Sequence, residues 1–352
     1  MIKVREATED DNWALIELQR KCPMGTRLAL RLNGSPDFFA RSRAYEDWHV
    51  LVATEDEKIV GSAAYTRKEA VIDGELVETV YEYGFIVDPE RRRRGIASML
   101  QGQIEESVRT DVDLLHLNIT ADNLPSINLF TKLGFERVKE CRACMLMAYR
   151  RHRPVDDLHI RNMTQADVSD VVNMLNDFYR DHVFYRTLTA EAFLRRYRGL
   201  PHFDLQNIWV YDDGGVKACL GYWDYNKVMR FAVERYMWRW RILRPILEVV
   251  GIFAEVPRIP KQGEQISNWY LTPIACRDPK GLTSLLKHLL NKALEENVDF
   301  VSVPLDLGSP LTAILSIFRR YEGEFGWYMK SLGQRPIPDL LDKRLYIDVA
   351  DI

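Results

Sequence analysis

The chain opens on an alternation, Ile2-Lys3-Val4-Arg5-Glu6, with an apolar side chain at every second position, and this period predicts a half-buried strand. Thr8-Glu9-Asp10-Asp11 then reads as a cap leading into a helix. The same strand, cap and helix pattern returns at Ile160-Arg161-Asn162-Met163-Thr164-Gln165-Ala166-Asp167, an offset of 156 residues from Asp11 to Asp167. A second echo links Arg91–Leu100 with Arg277–Leu286, at an offset of 186 residues from Gly95 to Gly281. Two halves of one α/β pattern follow. Arg150-Arg151-His152-Arg153-Pro154 interrupts the apolar periodicity and divides the chain into residues 1–150 and 151–352. The growing offset places extra residues in the second half between its third and fourth strands, at about 224–265.

Within the first half, Tyr83-Gly84-Phe85-Ile86-Val87 predicts a buried strand stopped by Pro89, and Ile96, Met99, Leu100, Gln103 and Ile104 fall at helical spacing. The junction between them carries Arg92-x-x-Gly95-x-Ala97. A first helical turn has unpaired amide donors at the positive end of its dipole, and a glycine there lets a phosphate approach the backbone. The turn is therefore suited to a pyrophosphate.

That turn, followed by Asn118-Ile119-Thr120-Ala121-Asp122-Asn123-Leu124-Pro125-Ser126-Ile127-Asn128-Leu129-Phe130-Thr131-Lys132-Leu133-Gly134-Phe135, resembles the two signatures of the GCN5-related N-acetyltransferases. The resemblance implies two tandem acetyltransferase-like domains, each a mixed, mostly antiparallel twisted sheet flanked by helices. It implies acetyl-CoA as cosubstrate and direct transfer of the acetyl group to a primary amine of a small-molecule or peptide acceptor. The implied coenzyme contacts are Phe85, Ile86, Val87, Arg92, Arg93, Arg94, Gly95, Ile96, Ala97, Ser98, Asn118, Asn123, Ser126, Asn128 and Phe130. Glu82 is the implied base, its pKa expected to rise by burial among Tyr81, Tyr83 and Phe85. His116 is the alternative base, and the Val87 amide is the implied oxyanion donor. Phe130 stands where the family often has a tyrosine acid, so thiolate release falls to Tyr83, to water or to no acid at all. The layout is also similar to plant HOOKLESS-type probable acetyltransferases.

The second copy departs from this pattern. Asp278 replaces Arg92, Pro279 removes an amide, Thr283 replaces Ala97, and Leu307-Gly308-Ser309-Pro310 lacks the asparagine of the second signature. No coenzyme A is expected there. The extra residues interleave Lys227, Arg230, Arg235, Arg239, Arg241 and Arg244 with Phe231, Tyr236, Met237, Trp238, Trp240 and Leu243. A helix packed on the interface between halves is expected, with membrane or RNA docking through 227–244 as the alternative. Residues 21–49 hold Lys21, Arg27, Arg31, Arg41 and Arg43 against Asp37, Glu46 and Asp47. This excess fits either an acceptor bearing carboxylate or phosphate, or a solvated face.

Composition narrows the class: 352 residues, 47% hydrophobic and 28% charged, with a formal net charge of −3, suit a globular enzyme more than a nucleic-acid binder. Cys22, Cys141, Cys144, Cys219 and Cys276 are scattered, and Cys141-x-x-Cys144 has no second ligand pair, so neither disulfides nor a metal are expected. A strand-like N-terminus without a signal-peptide core suggests a cytoplasmic protein. A coenzyme A sensor without turnover is the non-catalytic alternative.

Overall fold

The computed structural model describes residues 1–25, 28–153, 157–236, 245, 255–258, 260–333 and 335–352. The first half runs β1 (Ile2–Glu6), α1 (Asn12–Lys21), β2 (Leu28–Asn33), β3 (Trp48–Glu55), β4 (Lys58–Ile72), β5 (Glu75–Val87), α2 (Ile96–Val108), β6 (Leu114–Thr120), α3 (Leu124–Lys132) and β7 (Glu136–Met147). The second repeats the theme with β8 (Ile160–Asn162), α4 (Val168–Tyr179), β9 (His182–Val183), α5 (Ala190–Gly199), β10 (Ile208–Asp212) and β11 (Val216–Asp224). It continues through β12 (Arg230–Tyr236), β13 (Gln265–Ile266), β14 (Asn268–Cys276), α6 (Pro279–Glu295), β15 (Phe300–Asp306), α7 (Leu311–Leu315), β16 (Arg320–Ser331) and β17 (Arg344–Leu345).

Short-range chemistry sets the first strands. Asp56-Glu57 joins β3 to β4 and Asp73-Gly74 joins β4 to β5, and all four residues have positive φ. That is the backbone of a tight hairpin turn whose twist matches its strands. Capping boxes at Thr8/Asp11 and Thr164/Asp167 open the helical segments before α1 and α4, as the repeated pattern predicts.

Long-range order is less local. A single twelve-stranded sheet runs β1-β3-β4-β5-β6-β16-β7-β15-β14-β11-β10-β8. Read from either edge, each half lays down five strands, then the last strand of the other half, then its own last strand. β16 pairs with β6 from Phe325↔Thr120 to Ser331↔Leu114 and with β7 on its other side, while β7 also pairs with β15. The halves have exchanged their final strands. Within this sheet, β5 with β6 and β14 with β15 pair in parallel, at matching positions in the two halves.

Alternation along β5 divides the packing. Val80 joins Leu115, Leu117, Ile96, Leu100 and Ile104 beneath α2. Tyr81 and Tyr83 join Leu15, Phe39, Val50 and Val52 on the α1 face. The described start of the basic–aromatic stretch is a strand and not the expected helix: β12 pairs with both β13 and β2 in a three-stranded sheet across the two halves. Arg31 pairs with Glu234, and Arg230 donates to the Ser35 carbonyl at 2.5 Å. Backbone donors of β2 need a partner strand, which the insert supplies. Arg239, Arg241 and Arg244, and Met237, Trp238, Trp240 and Leu243, lie outside the described residues, as does Arg27.

Candidate active site

The site begins as a fault in the sheet. Tyr83 opposes Ala64 and Ile86 opposes Ser62, so Gly84 and Phe85 together face Ala63. Gly84 takes φ 66°, a conformation glycine adopts without strain, and the extra residue makes a bulge. Parallel pairing of β5 with β6 runs from Thr79↔Leu114 to Glu82↔Leu117 and ends there. The strands part, and Gly84 is exposed although it lies within a strand.

The turn into α2 follows. Arg93 (φ 62°) and Gly95 (φ 80°) bend the chain into α2, whose N-terminus has Gly95 as its cap and no side chain on its first-turn amides. A Cβ built on Gly95 would meet nothing within 4 Å. Arg91 and Arg94 both grip Glu55, the latter at 2.5 Å, which fixes the turn to the end of β3. Arg92 donates through Nε to the Val87 carbonyl, and neither Arg92 nor Arg93 has an ion-pair partner among the described residues. Open amides, an open glycine and two arginines without an ion-pair partner among the described residues fit a pyrophosphate.

The corresponding turn of the second half is filled from within. Asp278 accepts hydrogen bonds from the amides of Lys280 and Gly281, the donors an anion would need. A Cβ on Gly281 would lie 2.8 Å from the Tyr211 ring, so this glycine serves helix-to-strand packing. The bulge itself is repeated, because Leu220 opposes Ile274 and Tyr222 opposes Leu271, leaving Thr272-Pro273 against Gly221.

The nominated proton-transfer groups do not converge. Glu82 points beneath α2, where Gln101 Nε2 donates to Oε1 at 2.8 Å and Oε2 is buried without a partner. Burial pushes its carboxyl up to about 8, the Gln101 hydrogen bond pulling it partly back. Tyr83 and His116 face the opposite layer. Tyr83 donates to Ser42 Oγ at 2.8 Å. His116 stacks on Trp327 at 4.9 Å and packs against Tyr81 at 5.3 Å, and burial with the nearby Lys68 charge holds it well below its ordinary pKa. It is a neutral imidazole in an aromatic stack.

Among the other nominated contacts, Phe85 meets Phe130 edge to face at 5.0 Å, Phe130 meets Phe135 at 5.3 Å, and Phe130 is fully in the core. Ile96 is buried, whereas Ala97 and Ser98 are half-buried beside the turn, as are Ile86 and Val87 before it. Asn123 caps α3 by accepting from the Ser126 amide, and Asn128 is exposed. Asn118 donates to the Asp351 carbonyl at 3.1 Å instead of facing an open cleft.

That contact exposes residues which sequence reasoning missed. Residues 348–351 of the second half return to the first: Tyr81 donates to the Asp351 carbonyl, and Tyr45 donates to the Ala350 carbonyl at 2.5 Å. Lys68 pairs with Asp351 at 2.8 Å and with Asp348 at 3.4 Å, and Arg196 pairs with Asp348 at 2.5 Å. No short-range motif marks these residues, since they are 280 positions apart from Lys68 to Asp348.

Residues 13–135 match the model of the acetyltransferase (GNAT) family. The match spans most of the first half. Similar solved structures extend the likeness over the second half as well. Saccharomyces cerevisiae N-myristoyltransferase with bound myristoyl-CoA superposes with a TM-score of 0.65 at 14% identity, covering 94% of this chain and 82% of that one. A GCN5-related N-acetyltransferase from Sphaerobacter thermophilus gives 0.58 at 13% identity, covering 99% and 98%. One from Anabaena variabilis gives 0.52 at 11%, covering 95% and 73%. No curated protein matches the sequence. At these identities the likeness carries the GNAT fold alone. Among the described residues there is no cluster suited to a metal ion, and no helix is long and apolar enough to cross a membrane.

Proposed function

We propose that this protein is an acyl-CoA-dependent N-acyltransferase with one coenzyme site, in the first half, acetyl-CoA as its donor and a primary amine as its acceptor. The observation that carries the reading is the contrast at the two helix N-termini: an open Gly95 turn without a cap, and an Asp278 turn whose amides are already occupied. Arg92, Arg93 and the amides of Ile96 and Ala97 hold the pyrophosphate. The gap between β5 and β6 beyond Glu82 receives the pantetheine arm, and backbone donors freed at the bulge, the Val87 amide among them, face the oxyanion as the amine adds to the thioester carbonyl.

Glu82 takes the ammonium proton at the apex of that gap, through the Oε2 atom that has no partner. A carboxyl near 8 is mostly protonated at pH 7 and becomes an effective base as pH rises. The Tyr83 hydroxyl already donates to Ser42 on the opposite layer, so the departing thiolate leaves unaided or with water, tolerably well at a pKa of about 8.5. The second half binds no coenzyme and covers the acceptor face.

A second reading, a longer acyl donor, is favoured by the likeness to a protein with bound myristoyl-CoA. Thiol release from acetyl-, butyryl-, octanoyl- and myristoyl-CoA over a panel of amines tests both. Turnover confined to acetyl-CoA supports the first reading, a rate that rises with chain length supports the second, and coenzyme binding without release from any amine points to a sensor.

A further inference from the structure

On the α1 face, Arg41 is a cation that no carboxylate among the described residues neutralises. Arg41 lies between two short 3₁₀ turns, Phe38–Ala40 and Ser42–Ala44, with its guanidinium 4.8 Å above the Tyr83 ring. Tyr45, Tyr81 and Tyr225 surround it as well, Tyr45 and Tyr81 each lying 5.5 Å from Tyr83 between ring centroids. Its neighbours are all matched: Arg43 by Asp37 and Glu9, Arg31 by Glu234, Lys68 by Asp351, and Arg196 by Asp348. Arg41 has no hydrogen bond and no ion pair among the described residues, and its Nε is buried without a partner. A guanidinium N–H withdrawn from water and unused, as at Nε, is costly unless something accepts from it. Stacking on Tyr83 offsets only part of that cost.

The loop holding Arg41 is fixed. Phe39 packs in the first-half core, Ala40 packs in the second-half core, and Asp37 accepts from the Phe39 amide while gripping Arg43. The side chain is partly exposed, so a ligand reaches it. It stands on the α1 face, across the sheet from α2 and the Gly95 turn, and therefore away from the coenzyme phosphates. Tyr83, beneath it, immediately precedes the Gly84–Phe85 bulge where the strands part.

We propose that Arg41 binds a carboxylate on the acceptor, so that the protein acylates the amine of an amino acid or of a similar amino-carboxylate. A single guanidinium offers one positive charge and a planar fork, which a carboxylate matches in charge and shape and a phosphate dianion exceeds. The inference rests on the N-acyltransferase reading and assigns its acceptor class.

The test uses the full-length protein, acetyl-CoA, and a panel of amino acids each paired with its carboxamide, followed by thiol release, with the wild type and with Arg41→Gln and Arg41→Lys. At least one acid is expected to exceed its amide by about 10- to 100-fold in kcat/KM, mostly through KM. Arg41→Gln removes that preference while its acetyl-CoA affinity, measured by calorimetry, stays at the wild-type value, and Arg41→Lys recovers part of it. Amides used as well as acids, or Arg41→Gln lowering both equally, overturns the carboxylate assignment while leaving the transferase reading intact. Loss of acetyl-CoA binding and of all thiol release in the wild type overturns both.

Discussion

Placing an aspartate at Gly95 should separate coenzyme binding from stability. The open surroundings of Gly95 leave the new side chain no steric conflict, so the folded state loses only the cost of a non-glycine residue at φ 80°, about 1 kcal/mol. Its carboxylate, however, enters the space assigned to the pyrophosphate. A unit charge about 4 Å from a phosphate charge, at an effective dielectric near 20, is repelled by about 4 kcal/mol, a loss of roughly three orders of magnitude in affinity. Gly281→Ala is the reciprocal control. Its Cβ would press within 2.8 Å of Tyr211 and cost roughly 1–3 kcal/mol, partly offset by about 1 kcal/mol of helix propensity, with no effect on the coenzyme. Calorimetric titration of acetyl-CoA and thermal unfolding of both variants measure the two quantities. Wild-type affinity in Gly95→Asp would refute the pyrophosphate assignment, and lost binding in Gly281→Ala would move the site to the second half.

The rate constant kcat/KM should rise with pH through an apparent pKa about 8, and Glu82→Gln should abolish that limb with a fall of roughly 10²- to 10⁴-fold; a limb that persists moves the base elsewhere. Because the Glu82 pKa is raised on folding, the folded state holds a proton that the unfolded state has lost, and stability falls as pH climbs from about 4.5 to about 8. Glu82→Gln should therefore gain stability relative to the wild type across that window, measured by denaturation at pH 5 and pH 8. Lys68→Met strips Asp351 of its cation in a buried cluster and should cost about 3–5 kcal/mol, read by chemical denaturation; a change under 1 kcal/mol would mean the cluster is not held as described. Residues 1–150 expressed alone should not fold, since β6 and β7 would both lack the strand between them, whereas coexpression with 151–352 should restore a complex with one unfolding transition. Independent folding of the fragment would contradict the strand exchange.

What the sequence determined on its own was local or repeated. Two-residue alternation placed β1, the capping pattern placed α1 and α4, and the stop at Pro89 with the spacing from Ile96 placed the turn into α2, because each depends on residues a few positions apart. Asp278 was already legible as hostile to an anion, and the structure adds that it occupies the amides itself. Tertiary structure alone decided which strand lies between β6 and β7, since β16 is far along the chain and its pattern of apolar residues suits either sheet edge. It also decided which face each polar side chain took. Glu82 and Tyr83 are neighbours in sequence, yet the pleat sends one beneath α2 and the other toward Ser42, so candidates adjacent in the chain cannot share one proton path. Arg41 was one basic residue in a mixed stretch until folding gave a carboxylate to each neighbouring cation and none to it. Charge matching is a property of distances in space, and for that reason composition hinted at an anionic acceptor while only the fold identified the residue that would hold it.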